Sequence, residues 1–357
     1  MIPMPNRTSP VWTDAELLEC VAVLPEAPNV KTFSFRAPSG ATFVYKAGQF
    51  ITLDLPVPGG NVQRTFTMSS SPLSAGYISV TVKVQEGSVG SRWMHDHLTI
   101  GTRIKAYGPA GIFHLPDQPD GKYLYISAGS GVTPLMSMAT TLYELGNDPD
   151  ICFIQCAKRP RDLIFRQKLE LMTSRTAGID LHFVVGQNDP YEVWTGYRGR
   201  FNQLMLGLMC QDYLERDVYC CGPESFMDSV REILISLGYD MDRYHQEAFS
   251  APVDDPEDLP EFNDVEADAT AAAEVTFAKS GKTAMGKETD TVLALARANG
   301  VPLPSGCSFG LCGTCKVKKI SGDVHMVHNG GITDAEVDAG YILACCSHPL
   351  GNVEVEA

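Results

Sequence analysis

The chain has 357 residues, of which 44% are apolar, and it carries a formal charge of −15. This length predicts two or three domains, and the apolar content excludes a disordered chain. The acidic balance without a basic patch argues against nucleic-acid binding, and no apolar run reaches the length of a transmembrane helix. The eleven cysteines are an odd number and do not indicate a disulfide framework, and the N-terminus lacks a signal-peptide core. We therefore expect a cytoplasmic protein in which clustered cysteines bind metal or carry out redox chemistry.

Residues 1–117 predict an antiparallel β-barrel. Short runs with a period of two occur at 32–35, 49–53 and 78–84, and Gly and Pro separate them. Many short strands with such punctuation are typical of a barrel, and a helix is predicted to start near Ser91.

Residues 118–249 have a different pattern. Short apolar strands are predicted at 123–127, 151–155, 181–185 and 218–221, and helical stretches alternate with them. This alternation predicts an α/β domain with a parallel sheet.

The composition changes again at residues 250–270, which hold eight acidic residues, three prolines and no basic residue. This composition favours an extended linker, although an ordered loop that covers a domain edge remains the alternative. Beyond it, residues 271–357 predict a third domain with a strand at 274–277, a helix at 291–299, and strands at 316–320 and 353–356.

The last segment contains a cluster of cysteines. Cys307, Cys312 and Cys315 have the spacing C-x4-C-x2-C, and Cys345 follows thirty residues later. This is the plant-type spacing for a [2Fe–2S] cluster. A structural zinc site is the alternative, but zinc favours two C-x2-C units and the loop contains a single such unit. Because Cys346 follows Cys345 directly, the fourth ligand is ambiguous by one residue, and we choose Cys345.

This loop, with the stretch 340–346, resembles a plant-type ferredoxin domain, which implies an α+β β-grasp fold.

The stretch Arg64-Thr65-Phe66-Thr67 resembles the R-x-Y-[ST] flavin motif of the ferredoxin–NADP reductase superfamily. The resemblance implies that Arg64 binds the flavin phosphate, that Phe66 packs along the isoalloxazine, and that Thr67 bonds near N5. Phe66 stands where Tyr is usual, so one hydrogen bond is lost. Taken alone, this motif is also compatible with an ordinary β-strand that has no binding role.

A second flavin contact is predicted at residues 87–93, which resemble the family's FAD pyrophosphate loop at a helix N-terminus. The residues that the resemblance assigns to flavin binding here are Val82, Gly90, Ser91 and Arg92. The loop favours FAD over FMN. A simple helix cap, with Ser88 or Ser91 as the capping residue, is compatible with the same sequence.

Three further motifs resemble the nucleotide-binding half of the superfamily. They are the G-x-G-x-x-P turn with Gly129, Ser130, Gly131 and Thr133, the C-G-P stretch Cys221-Gly222-Pro223, and the E-x-F ending with Glu247 and Phe249. The resemblance places the first at the pyrophosphate, the second at the nicotinamide and the third near the flavin. Thr67 and Cys221 are the residues expected at the catalytic locus, although a buried strand cysteine is the alternative for Cys221.

The choice between NADH and NADPH is less constrained. Lys158, Arg159 and Arg161 follow the second strand of the α/β segment, where a 2′-phosphate could be held, although a solvated basic turn has the same composition. The resembled families mostly use NADH, and we expect NADH here.

The order of all these motifs resembles the reductase components of Rieske-type oxygenases. It implies an enzyme that passes electrons from NADH through FAD to a [2Fe–2S] cluster and then to a terminal oxygenase, and the overall resemblance suggests an oxygenase that demethylates a quaternary amine. A reductase of a hybrid-cluster protein is the alternative within this class. A non-catalytic redox sensor is the alternative from another class, although its nucleotide motifs would be expected to be incomplete.

Overall fold

The computed structural model of the chain describes residues 10–85, 87–146, 149–249, 271–305, 310, 313–326, 328 and 331–357. The described residues form two compact units. Most of the first two sheets lies in one unit, and the third sheet lies in the other. The predicted linker 250–270 falls outside the described residues.

The first sheet has six strands in the order β4-β3-β6-β1-β2-β5. Its elements are β1 Leu18–Ala27, β2 Val30–Arg36, β3 Phe50–Val57, β4 Gly60–Thr67, β5 Ile78–Lys83 and β6 Arg103–Ala110, with helix α1 Val89–His97. The β1–β2, β1–β6 and β2–β5 pairings are antiparallel. Met68, directly after β4, forms an antiparallel bridge to Val80 of β5, so the last strand of the order returns to the first. The predicted antiparallel barrel is confirmed.

The second sheet has six strands in the order β10-β9-β8-β7-β11-β12. Its strands are β7 Lys122–Ala128, β8 Asp150–Ala157, β9 Ile179–Val185, β10 Tyr197–Arg198, β11 Asp217–Gly222 and β12 Tyr244–Ala248. Every neighbouring pair is parallel. The chain leaves β7 towards β8 on one side and later returns to β11 on the other. The carboxyl ends of β7 and β11 therefore form the switch point where ligands of such sheets bind.

The helices of this domain are α2 Val132–Leu145, α3 Arg166–Thr173, α4 Gln203–Met209 and α5 Glu224–Ser236. Helix α2 also contacts the loop after β4, because the hydroxyl of Ser137 donates to the carbonyl of Ser70 at 2.6 Å and that of Thr141 donates to the hydroxyl of Ser71 at 3.3 Å. These bonds are buried, and Ser70 and Ser71 follow shortly after β4. The helix that follows the predicted nucleotide turn is thus joined to the loop after β4, the strand of the predicted flavin motif (the flavin strand).

The third sheet has five strands in the order β14-β13-β17-β15-β16. Its elements are β13 Ala272–Phe277, β14 Lys282–Lys287, β15 Lys316–Met326, β16 Tyr341–Leu343 and β17 Ser347–Val355, with helices α6 Val292–Ala298 and α7 Asp334–Asp338. The sheet is mixed, since β13 and β17 are parallel and the other recorded pairs are antiparallel. The hydroxyl of Thr291 caps α6 by accepting from Ala294 N at 3.1 Å, and Gly300 follows the helix end with φ of 64°.

Within the described part of the chain, no helix has both the length and the apolar character needed to span a bilayer.

Candidate functional site: flavin strand, nucleotide turn and cysteine loop

The nucleotide turn follows β7 and is packed directly against β11. A Cβ atom at Gly131 would lie 2.1 Å from the carbonyl oxygen of Cys221, so only glycine fits there. Gly129 has a φ of 58°, which also favours glycine. The hydroxyl of Thr133 donates to the carbonyl of Ser130 at 3.0 Å and closes the turn at the start of α2. The structure thus brings the predicted turn and the predicted C-G-P motif into contact.

A row of polar residues crosses the sheet at this point. Gln155 on β8, Ser127 on β7, Cys221 on β11 and Glu247 on β12 are consecutive partners in the strand register. All four are buried. Among the described residues, Ser127 Oγ, Gln155 Oε1 and Glu247 Oε2 have no hydrogen-bond partner. Buried polar atoms are normally paired, so these orphan atoms fit a site that is completed by a polar ligand.

Glu247 connects this row with the flavin strand. Its carboxyl shares a hydrogen bond with the side chain of Thr67, the last residue of β4. Burial raises the pKa of Glu247 from 4.5 to about 8, although the bond to Thr67 opposes the rise. Burial also raises the pKa of the Cys221 thiol, and the carboxyl of Glu247 adds to that effect. Both groups are therefore mainly protonated at neutral pH.

The other predicted flavin residues lie on β4, on β5 and on α1. Arg64 and Phe66 are half-buried on β4, and Phe66 packs against the core of the barrel. Val82 is buried on β5, and its carbonyl oxygen lies 2.8 Å from Nε2 of His95 on α1. Phe249 is half-buried after β12 and packs against the core beneath α2.

Helix α1 begins with residues suited to an anion. The hydroxyl of Ser88 caps the helix by accepting from Ser91 N at 3.4 Å, and Gly90 and Ser91 occupy the first turn. Ser91 Oγ accepts from Gln85 N at 3.3 Å, which leaves its O–H available as a donor, and Arg92 beside it is exposed. A helix N-terminus with a hydroxyl and a guanidinium fits a pyrophosphate. Ser88 is therefore the capping residue, and the pyrophosphate contact stays a prediction.

The basic turn after β8 is partly neutralised. Arg161 Nε lies 3.1 Å from Asp189 Oδ2, and the side chain of Asp189 is only 1% exposed. The backbone of Gln187 donates to the carbonyl of Lys158 at 2.7 Å, which joins the turns after β8 and β9. Sequence reasoning singled out the three cations and did not identify Asp189, because an aspartate 28 residues beyond Arg161 carries no local signal.

In the third domain, two predicted cluster ligands lie side by side. The backbone N–H of Cys345 donates to Cys315 Sγ at 3.4 Å. N–H groups that point at sulfur are typical of thiolates bound to iron. The thiol of Cys346 instead donates to the carbonyl of Leu343 at 3.7 Å. Cys307 and Cys312 lie outside the described residues.

The glycines of the cysteine loop also fit a tightly folded cluster site. Gly310 and Gly313 have φ values of 75° and 68°. A Cβ at Gly310 would lie 2.7 Å from Cys346 Sγ, and one at Gly313 would lie 2.7 Å from the carbonyl oxygen of Gly331. The loop therefore needs glycine at both positions, as expected for a chain that wraps closely around two irons.

Ser127 and Gln155 belong to this buried polar row, and sequence reasoning did not assign them to the site. Ser127 lies two residues before Gly129, near the end of β7, so its position was a usable signal. Gln155 is buried, and its Nε2 donates to the carbonyl of Ile164 at 3.0 Å. A polar residue inside an apolar strand was the available signal for Gln155.

Three family models match the chain in this order. The oxidoreductase FAD-binding domain matches residues 21–115, the oxidoreductase NAD-binding domain matches residues 125–232, and the 2Fe-2S iron-sulfur cluster binding domain matches residues 275–350. These matches confirm the predicted cofactors, namely FAD, a [2Fe–2S] cluster and a nicotinamide nucleotide.

Relatives of known activity match over nearly the whole chain. The reductase subunit of stachydrine N-demethylase from Rhizobium meliloti is 60% identical, and the match covers 97% of this chain and 98% of that protein. The glycine betaine monooxygenase reductase subunit of Chromohalobacter salexigens is 43% identical, with 98% and 97% covered. The solved structure of phthalate dioxygenase reductase shares the fold, with a TM-score of 0.60, 22% identity, and 97% of this chain and all of that chain covered. The chain therefore belongs to the family of oxygenase reductases that combine an FAD-binding domain, an NAD-binding domain and a C-terminal [2Fe–2S] domain.

Proposed function

We propose that this protein is the reductase component of a two-component Rieske-type oxygenase that demethylates a quaternary ammonium compound. The hydrogen bond between Thr67 and Glu247 carries the reductase part of this proposal, because it joins the flavin strand to the nucleotide-binding sheet. The relatives named for the demethylation of stachydrine and the oxidation of glycine betaine support the substrate class. Both compounds carry a quaternary nitrogen.

Each cofactor has residues of this chain to hold it. Arg64, Phe66, Thr67 and the first turn of α1 would hold FAD, while the turn at Gly129–Gly131 would hold the nucleotide pyrophosphate. Cys307, Cys312, Cys315 and Cys345 would hold the cluster, and the engaged thiol of Cys346 supports the choice of Cys345. When bound, the flavin supplies the conversion between the two-electron chemistry of a nicotinamide and the one-electron chemistry of a [2Fe–2S] cluster.

The residues of the site position the reactants and keep the site neutral. Glu247 holds a proton at neutral pH and places no negative charge beside the flavin strand. Cys221 is fully buried, so it excludes water at the point where the nicotinamide is expected. Hydride transfer from a nicotinamide to a flavin would mainly require that the two rings be held in contact at a fixed distance.

We further propose that NADH is the physiological reductant and that the protein acts in the cytoplasm. The ion pair between Arg161 and the buried Asp189 supports NADH, because it reduces the positive charge that a 2′-phosphate would need. The thiol state of Cys20, Cys152 and Cys221 supports a reducing compartment.

The experiment is an anaerobic visible spectrum of the purified protein before and after addition of NADH, followed by turnover with candidate oxygenases. We expect flavin and cluster bands that both bleach, and NADH-dependent demethylation of stachydrine or glycine betaine only when an oxygenase is present. Bleaching without turnover with any such oxygenase, but with reduction of a hybrid-cluster protein, would replace the proposed partner. A protein that binds both cofactors and is not reduced by NADH or NADPH would be a sensor instead.

The fourth cluster ligand is tested by a matched pair of variants. Cys345→Ser should lose the cluster absorption and keep NADH-dependent bleaching of the flavin, whereas Cys346→Ser should keep both. The reverse result would assign the ligand to Cys346.

A further inference from the structure

A pair of buried thiols lies in the nucleotide domain, away from the nucleotide turn. Cys152 is the third residue of β8, and Cys210 ends α4. The nucleotide turn follows the carboxyl end of β7, whereas Cys152 lies near the amino end of its parallel neighbour β8. The two thiols are therefore at the opposite edge of the sheet and take no part in the site described above.

The two thiols are in direct contact. Their side chains are hydrogen-bonded to each other. Cys152 Sγ also lies 3.7 Å from the carbonyl oxygen of Met209, the residue before Cys210, and Cys210 Sγ lies 3.6 Å from Asp212 Oδ1. Each residue is at most 3% exposed.

The pair has access to small molecules from one side. Both cysteines line a cavity of about 850 Å³, whose wall also includes His182 and Arg216. A volume of this size admits water and small molecules such as hydrogen peroxide. The thiols are thus nearly fully buried and line a space that a small oxidant can enter.

A guanidinium and a carboxylate lie beside the two thiols. Arg216 interacts electrostatically with both cysteines, and its guanidinium is held in place by Asp212, with Nε 2.7 Å from Oδ1. A cation beside a thiol favours the thiolate, which is the reactive form. The hydrogen bond with the neighbouring thiol and burial both raise the pKa of Cys152.

We propose that Cys152 and Cys210 are a modification site that forms a reversible disulfide with hydrogen peroxide. The sulfur of one thiol attacks one peroxide oxygen, the O–O bond breaks, and the departing hydroxide leaves as water with the proton of that thiol. The sulfur of the second thiol then attacks the sulfenic sulfur, the S–O bond breaks, and a second water leaves with the proton of the second thiol. Two thiols lose two electrons in total, and one peroxide is reduced to two waters.

The source of peroxide in the cell rests on the proposed function, since an oxygenase reductase encounters peroxide when its electrons reach dioxygen instead of the partner. The test uses added peroxide and is independent of that source. Reduction of a dye by NADH, measured on the untreated protein, reports separately on the proposed function.

The experiment treats the full-length holoprotein with hydrogen peroxide at doses that leave the cluster absorption intact. The sample is then alkylated under denaturing conditions, digested and analysed by mass spectrometry. We expect a peptide that joins Cys152 to Cys210, lighter by two hydrogens than the two reduced peptides together and absent after treatment with dithiothreitol. Cys20→Ser is the matched control, because that buried thiol of the barrel bonds to the carbonyl of Ala22, and this variant should form the same crosslink.

Oxidation of other cysteines in the wild type, without the crosslink between Cys152 and Cys210, would overturn the site itself and requires no variant to fold.

Discussion

Replacement of Glu247 by Gln provides the sharpest test of the site. The pKa of this carboxyl is raised from 4.5 to about 8 by burial. At 1.36 kcal/mol for each pH unit, the rise corresponds to about 5 kcal/mol of unfavourable free energy for the ionised form. Gln keeps the shape and the ability to bond to Thr67 and cannot ionise, so it mimics the protonated state.

We expect the two proteins to differ in pH dependence and to agree at neutral pH. With a pKa of about 8, roughly nine tenths of the wild type is protonated at pH 7 and roughly one tenth at pH 9. The rate of flavin reduction by NADH should therefore fall about tenfold over this range in the wild type, because the carboxylate places a negative charge where electrons must arrive. In Glu247→Gln the rate should stay within about twofold.

The assay is anaerobic stopped-flow reduction of the bound flavin between pH 6 and pH 9.5. The exposed Glu232 on α5 provides the control, since Glu232→Gln should reproduce the wild-type profile. An equal fall in rate in Glu247→Gln would show that another group titrates, and the reasoning from burial would be refuted.

The same pKa predicts a change in stability with pH. Because the folded protein binds the proton of Glu247 more tightly than the unfolded chain does, the folded state loses stability as the pH rises from 4.5 towards 8. Thermal unfolding should show a shallower dependence on pH in Glu247→Gln within this window, and parallel curves for the two proteins would contradict the assigned pKa.

Three further substitutions test the remaining parts of the site. Gly131→Ala places a Cβ 2.1 Å from a carbonyl oxygen, so the KM for NADH should rise at least tenfold, whereas Gly207→Ala, which meets open space, should leave it unchanged in the same steady-state assay. Asp189→Asn removes the charge that neutralises Arg161, so kcat/KM for NADPH should rise about fivefold with NADH unaffected; an unchanged ratio of the two would exclude this pair from nucleotide choice. Arg64→Ala removes the predicted phosphate contact, which should weaken FAD binding about 10- to 100-fold by titration of the flavin-free protein, and full retention of FAD would remove Arg64 from the site.

The local patterns of the chain were sufficient for the domain types and for the cofactors. A period of two predicted the strands that became β2, β3 and β5, because alternate residues of a strand face opposite sides of a sheet. The glycine turn and the cysteine spacing are equally local, since a few consecutive residues must surround one phosphate group or one pair of irons. For that reason these motifs were readable without coordinates.

Contacts between distant segments could not be read in this way. Glu247 lies 180 residues from Thr67, and neither the hydrogen bond between them nor the raised pKa follows from the local sequence around either residue. The neutralisation of Arg161 by Asp189 and the contact between Cys152 and Cys210 likewise depend on which strands become neighbours. The motifs identified the chemistry because they are short, whereas protonation and ion pairing follow from burial and proximity, which exist only after the sheets have assembled.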